Sequence, residues 1–234
     1  MTDPSPQWRI DDGVAVITLD DGKANAISAA VLDGLHAALD QAEAEGRAVV
    51  IAGRPGRFSA GFDLAAMTES PESMRSLVSA GARFLMRLYG FPQPTVVACT
   101  GHALAAGALV LLAADTRIGA DGDFKIGLNE VGIGMALPLF AVELARDRLT
   151  QPELAPATMQ ARIYPPRAAA TAGYLDRVAA PDAVLEEAMV EAQRLAALRT
   201  GAYARTKQTA RQDVIAHILD TLDADLADIS GPDA

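Results

Sequence analysis

The 234-residue chain has a single cysteine and only three histidines. One thiol, Cys99 in the apolar run "TVVACT", cannot close an internal disulfide, so a buried core thiol is expected. His36, His102 and His217 are scattered and Cys99 adds no ligand spacing, so no metal site is expected. Basic residues are in deficit: Lys and Arg number 20 against 30 Asp and Glu, a net charge of −10. A non-specific nucleic-acid binder carries the opposite sign, and a general attraction to anionic membranes is equally disfavoured. No charge-free apolar stretch approaches the length of a membrane-spanning helix. The N-terminus "MTDPSPQWRI" reads as neither a signal nor a transit peptide, which leaves the cytoplasm as the expected location. Neither a P-loop nor a GxSxG elbow occurs. Aromatics are scarce at 5%, so close helix packing must rest on small residues.

Small and apolar residues are what the chain has in plenty. Half of it is apolar, enough for a sizeable core, and the length suits one domain with a helical appendage. "VAVITL" (14–19), "AVVIA" (48–52) and "PTVVAC" (94–99) are continuous apolar runs of the kind buried on both faces of a sheet. Between the first two, Ser28 reads as an N-cap, Val31, Leu32, Leu35, Leu39 and Ala42 follow helical spacing, and Gly46 supplies the stop. Residues 68–90 carry a second helical stripe, from Met74 to Leu88. "GHALAAGALVLLAAD" (101–115) has a nearly all-apolar middle that predicts an interior helix. "TRIGA" and "DFKIGL" are short strand candidates. This alternation predicts right-handed crossovers and a largely parallel sheet. From about Leu137 helices are predicted at 138–149, 152–159, 166–173, 181–198 and 202–222, with prolines near several starts. The acidic tail "DTLDADLADISGPDA" is expected to fray. No internal sequence repeat is evident. The expected division is a core over 1–180 and a helical region over 181–234.

Two glycine-rich turns, "SAGFD" and "GHALAAG", each follow a strand and lead into a helix. Amides at a helix N-terminus lack intrahelical partners and carry partial positive charge. Two such turns facing each other would offer two N–H groups to one oxygen, an oxyanion hole built from backbone alone.

These residues resemble the crotonase superfamily, also called the enoyl-CoA hydratase/isomerase family, from about Val14 to Ala180. "FSAGFDL" (58–64) matches its first signature, "GHALAAGALVLLAAD" its second and "FKIGLNEVGIGMALP" its third, in family order and spacing. The resemblance implies an α/β fold: a spiral of ββα repeats with an α-helical C-terminal trimerisation region, hence a homotrimer or hexamer. It implies a coenzyme A thioester as substrate, with no separate cofactor. By motif position the oxyanion donors are the N–H groups of Phe62 and Ala106. Ala60, Gly61 and Gly107 would let the acyl-CoA lie against the backbone, while Asp63 holds the turn or touches substrate. Lys23, Ala24 and Ala26 match a segment that contacts the pantetheine or adenine part.

The acid/base residues separate the reactions. Hydratases of the family commonly carry two glutamates. The second-signature position here is Leu109, and "ALVLLAA" holds no carboxylate. The third-signature position is Glu130, preceded by Asn129 where proline is usual. One carboxylate suffices to take a proton from C2 and return it to C4, so the pattern resembles Δ3,Δ2-enoyl-CoA isomerases, with Leu109 as an apolar wall. A hydratase using Glu130 alone and a non-catalytic acyl-CoA-binding protein are the alternatives. Arg54, Arg57 and Lys23 face CoA phosphates or solvent, His102 orients a loop or substrate, and Lys207 falls near a C-terminal lysine that contacts CoA in relatives. The family's basic "FLEKR"-like ending is replaced by "DISGPDA", which implies a different pocket rim.

Overall fold

The structure, a computed structural model, describes residues 5–229. The described chain opens with a hairpin: β1 (Gln7–Asp11) pairs antiparallel with β2 (Val14–Leu19). Asp12 and Gly13 turn between them with φ of 47° and 77°, the positive pair that a two-residue turn of matching twist needs. Beyond it, long and short strands alternate with helices: β3 (Ala26–Ile27), α1 (Ala29–Glu45), β4 (Ala48–Gly53), β5 (Gly56–Ser59) and β6 (Gly61–Phe62). Next come α2 (Leu64–Glu69), α3 (Pro71–Tyr89), β7 (Thr95–Cys99), β8 (Gly101–Leu104), α4 (Ala106–Ala113), β9 (Thr116–Ala120) and β10 (Ile126–Gly127). A 3₁₀ turn over Val131–Ile133 leads to α5 (Leu139–Arg148), α6 (Gln151–Thr158), α7 (Pro166–Ala172), β11 (Arg177–Ala179), α8 (Val184–Ala196) and α9 (Thr200–Ala227).

The main sheet runs β1-β2-β4-β7-β9-β11, and every pair after the hairpin is parallel. The short strands form their own sheets, β10-β8-β5 and β3-β6, also parallel. β2, β4, β7 and β9 each hand on to one or two short strands before the next helix, as in β2-β3-α1 and β7-β8-α4. This is the ββα spiral, a repeat of architecture without a repeat of sequence. β4 shows why its sequence is uniformly apolar. Val49 and Ile51 face the cluster that contains α1 and α3, while Ala48, Val50 and Ala52 face the cluster that contains α8. All eight residues of α4 are buried, the interior helix expected.

Some boundaries differ from expectation. "GHAL", expected as part of a glycine-rich turn, is strand β8, and the helix expected in the middle of 101–115 is α4. The stripe from Met74 to Leu88 is α3, which begins where Ser70 caps it through Ser73 N–H (3.0 Å) and Pro71 occupies the first turn; the short α2 before it was not expected. The tail does not fray before Ala227: Leu222 and Leu226 are buried, and Asp225 accepts from Leu139 N–H (2.8 Å). The remainder of the tail, 230–234, lies outside the described residues. No described helix is long and apolar enough to cross a membrane.

Lys207 requires a correction. It is buried on α9, where Nζ donates to Phe91 O (2.7 Å), Gln93 O (2.9 Å) and Asp115 Oδ2 (2.5 Å). Asp115, at the end of α4, also accepts from Thr95 N–H (2.8 Å), Tyr203 Oη–H (2.8 Å) and Arg211 Nη1 (2.7 Å). With its ammonium consumed there, Lys207 pins α9 to the core rather than meeting a ligand. Burial pulls it down to about 8, with Asp115 opposing.

Candidate active site

A cavity of about 410 Å³ opens among the three signature segments. Its wall includes Ala24, Ala26, Ala60, Phe62, Asp63 and Leu109, all singled out from the sequence, and Glu130 projects into the same space, whereas Lys23, Gly61, Ala106 and Gly107 are not on that wall. The other lining residues are mostly apolar, among them Met67, Val78, Met135 and Phe140.

The two turns converge. Gly61 has a φ of 100°, which a residue with a Cβ resists, and a Cβ there would lie 2.9 Å from Ala105 Cβ and 3.4 Å from Ala106 N. Gly107 allows an equally close approach, since its Cβ would meet Ser59 O at 2.6 Å. Asp63 N–H donates to Ile27 O (3.0 Å), so alternation along the parallel ladder turns the Phe62 N–H to the opposite side. Ala106 begins α4, and no side chain caps that terminus although the residue is 2% exposed. A buried helix end without a cap leaves amides that call for an external acceptor. Ala105, which the sequence reading passed over, supports this turn at φ 48° and ψ −124°, a strained backbone for a residue with a Cβ.

Glu130 sits where β10 gives way to the 3₁₀ turn. Its carbonyl accepts from Ile133 N–H (3.0 Å) and Met135 N–H (2.9 Å), which fixes the backbone. The side chain is 8% exposed and Oε2 has no hydrogen-bond partner. Burial pushes the carboxyl up to about 7, against the pull of the Glu130 and Asn129 peptide N–H groups. Asn129 lines the cavity too, and its Oδ1 is likewise buried and unpaired. The pocket therefore offers one carboxylate near neutrality, faced by hydrocarbon at Leu109.

A family model described as enoyl-CoA hydratase/isomerase matches residues 9–227. The chain belongs to this family. Among relatives, it is 37% identical to a putative enoyl-CoA hydratase of Thermus thermophilus over 78% of this chain and 74% of that protein. It is 30% identical to human mitochondrial enoyl-CoA delta isomerase 1 over 92% of this chain and 72% of that one. Among solved structures, an apo enoyl-CoA isomerase from Mycobacterium tuberculosis superposes with a TM-score of 0.92 at 37% identity, covering 97% of this chain and all of that one (100%). The human mitochondrial Δ3,Δ2-enoyl-CoA isomerase gives 0.90 at 29% identity, over 94% and 88%. The names divide between the two activities, so it is the site that must speak for either.

In this enoyl-CoA hydratase/isomerase chain, several residues marked in the sequence stand apart from the cavity. Lys23 is exposed, its N–H held by Asp21 (2.7 Å) and its carbonyl by Arg54. His102 accepts from Lys125 N–H (3.0 Å) and stacks edge-on against Phe124, a loop-holding role. Asp63 caps α2 through Ala65 N–H (3.0 Å), so it holds the turn while bordering the cavity. Asn25 is the residue that sequence reasoning missed between Ala24 and Ala26. It is buried at φ 51°, and Nδ2 donates to Leu19 O (2.8 Å), Arg57 O (3.1 Å) and Phe58 O (3.1 Å). Ser59 Oγ donates to Asn25 O (2.7 Å) and accepts from Gly61 N–H (3.2 Å), which links the rim loop to the first turn. A polar amide set between two alanines, in a loop that must bend, was the available signal.

Proposed function

We propose that this protein moves a carbon–carbon double bond in an enoyl-CoA thioester, converting a 3-enoyl to a 2-enoyl chain. The observation that carries this reading is the single buried carboxylate, Glu130, with a free oxygen in an otherwise largely apolar cavity. The Glu130 carboxylate takes a proton from C2. The C2–H electrons form a C1=C2 bond, and the charge moves onto the thioester oxygen. The N–H groups of Phe62 and Ala106 receive that charge, in surroundings where such donors act strongly. Reprotonation at C4 by the same carboxyl leaves the double bond between C2 and C3. A carboxyl near 7 both accepts and returns a proton readily at neutral pH. Leu109 keeps water from the reacting carbons. Coenzyme A enters as part of the substrate, and the reaction needs no separate cofactor.

A second reading, hydration of the 2-enoyl thioester, has one observation in its favour. Asn129 Oδ1 and Glu130 Oε2 are both unpaired acceptors on the same cavity wall, and a water needs such partners. The deciding experiment incubates the protein with 3-enoyl-CoA and 2-enoyl-CoA thioesters of several lengths and identifies products by mass and ultraviolet absorbance. Isomerisation leaves the mass unchanged and creates the conjugated chromophore. Gain of one water without isomerisation promotes hydration, and binding without any product leaves an acyl-CoA-binding protein.

A further inference from the structure

Gly81 lies in the interior of α3, where glycine is less favourable than alanine. A glycine kept at that cost needs a packing reason, and the structure supplies one. A Cβ on Gly81 would stand 2.3 Å from Cζ and 2.4 Å from Cε1 of Phe62. The Phe62 ring thus rests directly on the bare backbone of α3. Ile27, Phe84, Ala106 and Val110 surround the same small gap, which is too narrow for a water molecule. Strand β6, which carries Phe62, is only Gly61–Phe62, paired with the equally short β3. Gly61 N–H, on Ser59 Oγ, and Asp63 N–H, on Ile27 O, hold the backbone on either side of Phe62, and the seated ring adds an anchor on Phe62 itself.

We propose that Gly81 is a positioning residue for the Phe62 amide: the missing side chain seats the ring, and the ring sets where the N–H points beside Ala106. The inference rests on the reading of that amide as an oxyanion donor. It reaches the reaction only through Phe62, because Gly81 itself borders the gap behind the ring and not the cavity. A misplacement of about 1 Å in such a site can cost on the order of 10²-fold in rate.

The test is a double-mutant cycle on kcat and KM with a 3-enoyl-CoA, with thermal unfolding of each variant. Gly81→Ala in the Phe62 protein is expected to lower kcat by at least about tenfold with KM changed by less than about threefold. In the Phe62→Leu background, which keeps the N–H but lacks the ring edge that collides, Gly81→Ala is expected to cost less than about threefold. Equal losses in both backgrounds, or no loss in the first, overturn the inference while leaving the proposed reaction standing. Should Gly81→Ala alone fail to fold, the pair Phe62→Leu and Phe62→Leu/Gly81→Ala carries the test. Folded proteins of matching kcat support the inference, and a further tenfold loss or failure of the double variant to fold overturns it. Absence of turnover in the unaltered protein overturns the reading of the site, and this inference with it.

Discussion

Glu130 bears two consequences of one burial. Its carboxyl is held at about 7 in the fold against 4.5 for an ordinary glutamate, because the charged form loses water without gaining an ion partner. The group therefore costs nothing well below 4.5, where it is neutral in both states. Stability is lost as pH rises from 4.5 to about 7 and stays lost above that. Glu130→Gln removes this penalty. Its stability advantage over the unaltered protein in denaturant unfolding should be near zero in acid and grow to about 2–4 kcal/mol above neutrality. The same substitution keeps the shape and loses the basicity, so isomerase kcat should fall by on the order of 10²–10⁴. The unaltered enzyme's kcat/KM should rise with pH through a limb near 7, since the base must be ionised in the free enzyme. A flat pH profile, or turnover in Glu130→Gln equal to that of the unaltered protein, would remove the residue from the mechanism.

At the scale of elements, the decisive feature is the meeting of β6 with the start of α4. Ala106 occupies the first helical position, where proline is tolerated because its N–H has no intrahelical role. Ala106→Pro should therefore spare most of α4 while deleting the proposed donor, and kcat should drop by roughly 10²–10³. Ala106→Gly retains the N–H and should keep most of the rate. A folded proline variant working at the unaltered rate would refute the amide's role. How visible these elements were beforehand follows from what each one buries. β2, β4 and β7 were legible because strands covered on both faces are apolar at every position. The interior α4 was legible for the same reason. β1 was not, being mostly exposed, although Asp12-Gly13 is a strong hairpin signal. β3 and β6, at two residues each, are too short for any periodicity to register, whereas β10 lies inside the expected strand "DFKIGL". The chemistry of the turns could be read from "SAGFD" and "GHALAAG". Their approach to within contact at Gly61 and Ala105 is tertiary, and no spacing encodes it. Lys207 shows the converse: a lysine on a helix looks solvated or ligand-bound until the fold supplies Asp115 as its buried partner.

For the whole molecule, the remaining question is what covers the apolar surface beside the cavity mouth. Val131 and Ile133 are 43% and 42% exposed on the 3₁₀ turn, and Met159 is 73% exposed at the end of α6. These segments adjoin, because a Cβ on Gly132 would lie 3.4 Å from Ala161 Cβ. Ile133 also lines the cavity, so whatever packs here borders the active site. The C-terminal helices leave these side chains exposed: α8 packs mainly against the main sheet and α9 against α3 and α5. A contiguous exposed apolar patch marks an interaction surface more often than an ordinary face. We predict that a second and third copy of this chain cover it, in a homotrimer or a dimer of trimers. Light scattering should then report three or six protomer masses at micromolar concentration. Val131→Lys combined with Met159→Lys places like charges across the contact and leaves the amide turns unaltered, and should shift the mass toward the protomer. A monomeric mass for the unaltered protein across the micromolar range refutes the assembly. An unchanged mass for the lysine variant moves the contact to another face.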